Sequence, residues 1–270
     1  MEVRAVDSLL GPITSWLSPA DLRAIYSSDY WNDVAEERKK EWWIEVGESS
    51  CQRLLAYLDN SGLMTEYQIA EQSILEMPGS NLAIADLAAG IGWASALLSR
   101  LPNVGSVHAV EVSQHRLDLL FPQAVRMFNG NAAKLHRYIG SFYKLGFDSE
   151  SMDVVFLSQA FHHAATPVRL LSEIDRVLKP GGRLILIGEH FIGGRNLFRA
   201  MLKVLLTEGR LCTNFYELFP PDKVAGDHFY RVSDYFLFLQ LMGYQMVRCS
   251  VQKKRSTVVI ADKQILDVAR

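Results

Sequence analysis

The stretch Ile84-Ala85-Asp86-Leu87-Ala88-Ala89-Gly90-Ile91-Gly92 limits the possible folds of this chain more than any other. An apolar run from Leu82 to Ala85 ends in an acid and enters a glycine turn, and a helical pattern (Trp93, Leu97, Leu98, Leu101) follows at once. A strand, a tight glycine loop and a helix N-terminus in that order bring bare backbone N–H groups close to a ligand. A second such unit follows: Val107-His108-Ala109-Val110-Glu111 reads as a strand with an acid at its carboxyl end. Glu111 stands about 20 residues beyond the loop, the offset at which an acid grips a ribose in nucleotide-binding βαβ units. An adenosine-type ligand is the first inference.

The loop fits a dinucleotide fingerprint poorly. Gly90 and Gly92 supply two glycines of G-x-G-x-x-G, but the third position is Ser95, and Asp86 precedes the turn. An acid there repels a pyrophosphate and suits a cationic ligand with an α-amino group, such as S-adenosylmethionine. Downstream, Ser151-Met152-Asp153-Val154-Val155-Phe156-Leu157-Ser158 reads as a strand, and Leu171 to Leu184, containing Lys179-Pro180-Gly181-Gly182, reads as helix, turn and strand. With these motifs the chain resembles the class I (Rossmann-like) S-adenosylmethionine-dependent methyltransferases over roughly residues 70 to 262. The resemblance implies an α/β fold: a doubly wound, mostly parallel seven-stranded sheet with a terminal antiparallel hairpin, plus an N-terminal helical cap.

Periodicity sets the elements. Ser18-Pro19 opens a helix through Tyr26. Residues 33 to 59 carry apolar side chains at helical spacing until Asn60-Ser61-Gly62, and a further helix spans 64 to 76. From Asn81 strands and helices alternate, with strands near 82–86, 106–111, 135–140, 152–158 and 182–190, predicting a mostly parallel sheet. Two β-rich runs, Tyr244 to Val251 and Ser256 to Ala261, flank a charged turn containing Lys253-Lys254-Arg255 and read as the terminal hairpin. Residues 1–78 are expected to form the helical cap, 79–190 and 232–270 the Rossmann-like domain, and 191–231 an inserted substrate lid. The insert carries Gly193-Gly194, an amphipathic stretch from Leu197 to Leu206, and Phe215, Tyr216 and Phe219. Inserts at the carboxyl edge of such a sheet lie over its ligand crevice.

Composition narrows the partners. About half of the 270 residues are apolar and the formal net charge is −2 with charges interspersed, which gives no nucleic-acid surface. Cys51, Cys212 and Cys249 form no CxxC pair, so neither disulfides nor zinc are indicated. No apolar run reaches the ~18 residues of a membrane span and no signal peptide is evident, so a cytoplasmic protein without membrane contact is expected. The sequence leaves the oligomeric state open, a homodimer being compatible.

The resemblance implies S-adenosylmethionine as cofactor and a small-molecule acceptor, methylated at O, N or C by in-line transfer. Asp86 serves the methionine end of the cofactor or caps the following helix. Ala88, Gly90 and Gly92 form the turn, Glu111 accepts hydrogen bonds from both ribose hydroxyls, and Val112 packs on the adenine. Ser141 and Phe142 stand where relatives often carry an acid for the adenine edge. Ser158-Gln159-Ala160-Phe161-His162-His163 follows the fourth strand, where donor and acceptor meet. His163 is the first candidate for a cofactor contact; His162 or His163 is placed to deprotonate the acceptor, and Glu189-His190 and then Asp227-His228 follow, with His190 and His228 as candidate acceptor-side bases. Two adjacent histidines without a carboxylate at metal spacing give no metal site. Tyr26, Tyr30 and Trp31 form an aromatic cluster whose faces suit a sulfonium or pack on the sheet. Trp42 and Trp43 belong to packing. The competing readings are a nucleotide-cofactor oxidoreductase or epimerase, and a non-catalytic S-adenosylmethionine-binding scaffold.

Overall fold

The structure is a computed structural model and describes residues 10–26, 48–222, 226–251 and 256–265. Its strands are β1 (Ile13–Ser15), β2 (Leu82–Leu87), β3 (Val104–Glu111), β4 (Leu135–Ile139), β5 (Met152–Ser158), β6 (Leu178–His190), β7 (Tyr244–Val251) and β8 (Ser256–Lys263). The helices are α1 (Pro19–Tyr26), α2 (Glu48–Ser61), α3 (Leu63–Leu75), α4 (Trp93–Leu98), α5 (Phe121–Met127), α6 (Pro167–Val177), α7 (Gly194–Glu208), α8 (Phe215–Leu218) and α9 (Val232–Leu241).

The sheet order is β1-β4-β3-β2-β5-β6-β8-β7. All pairs among β1 to β6 are parallel, while β8 runs antiparallel to β6 and β7 antiparallel to β8. The terminal hairpin is therefore present as expected, but the sheet has eight strands and not seven. The additional strand, β1, pairs with β4 through only Ile13, Thr14 and Ser15. Three residues are too short for an alternation pattern to register.

Both faces of the central strands are covered, so they read as continuous apolar runs. Ile84, Val154, Phe156, Ile185 and Ile187 face one core. Their strand neighbours Ala85, Val155, Leu157, Leu184 and Leu186 face the other, as the two-residue pleat requires. On the first face α3 buries Leu63, Tyr67, Ala70 and Ile74, one stripe at helical spacing. Leu54 and Leu58 of α2 join that same cluster, so the described helices before residue 78 share the core of the sheet. On the second face α6 presents Leu170, Leu171, Ile174 and Val177, and α9 presents Tyr235 and Leu239. Lys179-Pro180-Gly181-Gly182 lies within β6 and not before it. There the register against β5 jumps from Met152–Leu178 to Val154–Arg183.

Two features of the scaffold shape the cleft. A register shift against β8 between Leu186 and Glu189 bends β6, as an irregularity in a ladder does. Gly188 sits there at φ 70°, and a Cβ on it would lie 2.5 Å from Gln159 Cγ and 2.6 Å from Leu63 Cδ2, so only glycine fits. At the other edge, Trp16 follows β1 and stacks on Tyr138 with ring centroids 4.5 Å apart. Cβ atoms on Gly140 and Gly146 would meet its ring at 2.7 and 2.5 Å. Arg137 also donates to the Gly11 carbonyl at 2.8 Å.

No described helix is long and apolar enough to cross a membrane. Tyr30, Trp31, Trp42, Trp43 and the Lys253-Lys254-Arg255 turn lie outside the described residues. Tyr26 closes α1, but its side chain falls outside them too.

Candidate active site

Strand order reverses between β3-β2 and β2-β5, and open α/β sheets place their ligand crevice outside the strand carboxyl ends at such a point. A cavity of about 540 Å³ lies there, lined from β2 by Asp86, from β3 by Glu111, from β5 by Ser158, and by the loops that follow each.

The loop after β2 is built for close approach. Ala88 adopts φ 53°, Gly90 57° and Gly92 80°; the first is a left-handed conformation that non-glycine residues seldom occupy. Gly92 is glycine for a further reason: a Cβ there would fall 2.1 Å from Phe121 Cδ2 of α5. Gly92 begins α4 without itself lining the cavity, whereas Ala88, Ala89, Gly90 and Ile91 line it.

Two buried acids face this loop. Asp86 is 1% exposed and accepts the Ser95 hydroxyl of α4 at 2.5 Å. Burial, reinforced by the nearby Glu111 charge, outweighs that bond and pushes its carboxyl up to about 7. Ser95, the residue that spoils the dinucleotide fingerprint, is thus the tether of Asp86. Glu111 is 3% exposed; its Oε2 accepts the Gly90 N–H at 2.8 Å, and its Oε1 those of Val112 and Ser113 at 2.9 and 3.0 Å. A carboxylate offers about four acceptor positions, so these three bonds leave about one open on Glu111. Its first task is to join the β2 and β3 loops.

The third side is the loop after β5. Gln159, at φ 52°, exchanges hydrogen bonds with the Tyr57 hydroxyl of α2 at 3.0–3.1 Å. The Ser158 hydroxyl is buried in the cavity wall without a hydrogen-bond partner. Beyond it, Glu189 at the end of β6 holds the loop from behind. Oε1 accepts the N–H groups of Ala160 and Phe161 at 3.0 and 2.9 Å. Oε2 accepts the His162 N–H at 3.1 Å and approaches His162 Nδ1 at 2.8 Å. Burial opposes the charge on each partner, yet their proximity prevails: Glu189 is held below the usual carboxylate range and His162 above the usual imidazole range.

The fold separates the sequence candidates. Asp86, Ala88, Gly90, Glu111, Val112, Ser141, Phe142, Ser158, Gln159 and His163 all line the one cavity. Ser141 is partly engaged, its hydroxyl accepting the Tyr143 N–H at 3.2 Å. His190 and His228 do not line it. His190 packs against the His162 ring at 4.2 Å between centroids, and burial lowers its pKa. His228 donates its backbone N–H to the His162 carbonyl at 2.8 Å, and burial lowers its imidazole as well. Sequence reasoning missed Tyr57, Arg116 and Tyr143 as lining residues, which carry no local motif. Asp227, a candidate in sequence only through its pairing with His228, has its Oδ1 3.2 Å from His163 Nδ1 and 3.8 Å from His162 Nε2. The carboxylate absent beside the two histidines in sequence is therefore supplied from the segment between α8 and α9.

Residues 85–186 match the family described as methyltransferase domain. They contain the glycine loop, both acids and the histidine pair. This part of the chain is similar to the methyltransferase domain family.

Over 115 residues the chain is 34% identical to an uncharacterized methyltransferase of Mycobacterium tuberculosis (strain H37Rv), covering 41% of each chain. It thus spans about two fifths of that relative's length. It is 27% identical over 174 residues to a demethylmenaquinone methyltransferase of Lactiplantibacillus plantarum, covering 62% of this chain and 72% of that one. A SAM-dependent methyltransferase from Aquifex aeolicus superposes with a TM-score of 0.52 at 18% identity, covering 81% of this chain and all of that one. At that identity the last likeness concerns the fold. The matched residues run from β2 to β6 of the sheet.

Proposed function

We propose that this protein is an enzyme transferring a methyl group from S-adenosylmethionine to a small-molecule acceptor. The observation that carries the reading is the pair of buried acids, Asp86 and Glu111, facing a left-handed loop at the switch point of the sheet. That arrangement suits a cationic adenosyl ligand and opposes a pyrophosphate. The unpartnered Ser158 hydroxyl in the same wall awaits a polar ligand group.

The residues fit this cofactor. Asp86 faces its ammonium end, Glu111 takes a ribose hydroxyl, Val112 packs against the adenine, and Ser141 and Phe142 border the adenine edge. Bound there, the cofactor supplies an electrophilic methyl group on a sulfonium. The protein's part is alignment and exclusion of water, which together account for on the order of 7–11 kcal/mol of a barrier. Gln159, locked to Tyr57, fixes the loop on which His162 and His163 face the acceptor side. Residues 191–231 act as the substrate lid, anchored where His228 meets His162 and where the Ile192 N–H reaches the Tyr230 carbonyl at 2.8 Å.

A cavity of about 540 Å³ falls within the usual range for small organic ligands. The similarity to a demethylmenaquinone methyltransferase is in keeping with an organic acceptor. The test is thermal: S-adenosylhomocysteine should raise the melting temperature and NAD(H) should not. The reverse result would assign a nucleotide-cofactor oxidoreductase. Binding without turnover on any acceptor panel would leave a scaffold.

A further inference from the structure

Beside the cavity three candidate ligand groups converge: the rings of His162 and His163 and the carboxylate of Asp227. One ligand atom from each lies within 4.8 Å of the others. We propose that His162, His163 and Asp227 bind one divalent transition-metal ion, of the zinc, cobalt or manganese type, at the acceptor edge of the cavity.

Spacing is the first argument. A metal–nitrogen bond of about 2.1 Å puts neighbouring ligand atoms about 3.0 Å apart in an octahedral arrangement and about 3.4 Å in a tetrahedral one. The separations from Asp227 Oδ1 are 3.2 Å to His163 Nδ1 and 3.8 Å to His162 Nε2. The longer exceeds a hydrogen bond. At the shorter, His163 Nδ1 is buried yet makes no hydrogen bond in the structure. The shorter contact is an ion pair when His163 is protonated, and all three groups lie close enough together to face a common centre.

Orientation is the second. His162 Nδ1 lies 2.8 Å from the buried Glu189 carboxylate. In the neutral ring that contact places the proton on Nδ1 and leaves Nε2 as a lone pair facing Asp227. Metal-binding histidines are oriented in this way by an outer carboxylate. Glu189 is in turn fixed by three backbone N–H groups.

Two histidines and one carboxylate leave coordination positions open, and both imidazoles border the cavity. If the methyl-transfer reading holds, those positions would take an oxygen ligand of the acceptor, such as a hydroxyl or carboxylate. The ion site itself stands without that reading.

The experiment uses the full-length protein, stripped with a chelator and titrated with Co²⁺ by absorption spectroscopy and with Zn²⁺ by calorimetry. One ion per chain is expected, with d–d bands of a nitrogen–oxygen site. Asp227→Asn and His163→Ala should each weaken binding by at least about 10–100-fold, the range seen even for loss of a supporting partner. Neither side chain is fully buried, and melting curves on the same samples report folding. Zero stoichiometry, or affinity unchanged in both variants, overturns the proposal. S-adenosylhomocysteine binding, measured in parallel on Asp227→Asn, separates this outcome from failure of the methyl-transfer reading: it should persist there, because Asp227 does not line the cavity.

Discussion

Asp86 is buried beside a second acid, and the fold discourages its charge. Its folded pKa of about 7 lies above the roughly 3.9 of an unfolded aspartate. The native state therefore holds an extra proton between those values, and the associated stability, complete below about pH 4, is lost as pH rises through 7. Three pH units correspond to about 4 kcal/mol. Asp86→Asn should match the wild type in denaturant melts near pH 4 and exceed its stability by several kcal/mol near pH 8. Parallel curves at both pH values would contradict the burial argument. A bound cation would restore the charge, so cofactor binding near neutral pH should release a proton, read as a buffer-dependent binding heat. Both cavity acids were legible in the chain because their meaning is local: an acid ends each of two successive strands. The approach of Asp227 to His162 and His163 was not, because it needs the chain between α8 and α9 folded back onto the β5 loop, a contact that no spacing rule encodes.

At the level of elements, the bent strand β6 does the most to arrange the cleft. Its irregularity at Gly188 lets Glu189 capture three backbone N–H groups of the β5 loop, and Glu66 of α3 secures the same point by accepting the Gly188 N–H at 2.6 Å. Gly188→Ala combines a left-handed φ with collisions against Gln159 and Leu63, which together should cost about 2–4 kcal/mol. The expected readouts are a lower urea midpoint and weaker S-adenosylhomocysteine binding, since Gln159 must move; an unchanged midpoint would show that the bend adapts freely. Strands β2 to β6 were readable because burial on both faces writes them as long apolar runs. The bend was not readable, because a glycine inside a strand pattern does not say which side chains crowd it.

On the scale of the whole molecule, the described residues before β2 are part of the structure around the cleft. Leu54, Tyr57 and Leu58 of α2 line the cavity, and β1 completes the sheet at its β4 edge. The sequence suggested a separate helical cap because helices precede the strand–helix alternation. Periodicity reports which face is apolar and says nothing of what it packs against. Trp16 tests this integration. Trp16→Ala removes a stacked aromatic and leaves a void against Gly140 and Gly146; for a partly exposed ring we expect a loss of about 2–3 kcal/mol and a melting temperature lower by about 4–12 °C. An unaltered melting curve would mean the edge strand contributes nothing. The wedge also governs where the protein can be trimmed. A version cut to begin after residue 17, leaving every recognisable motif intact, would still open a slot behind the Ser141–Phe142 wall, and its poor ligand affinity would be mistaken for a damaged catalytic centre.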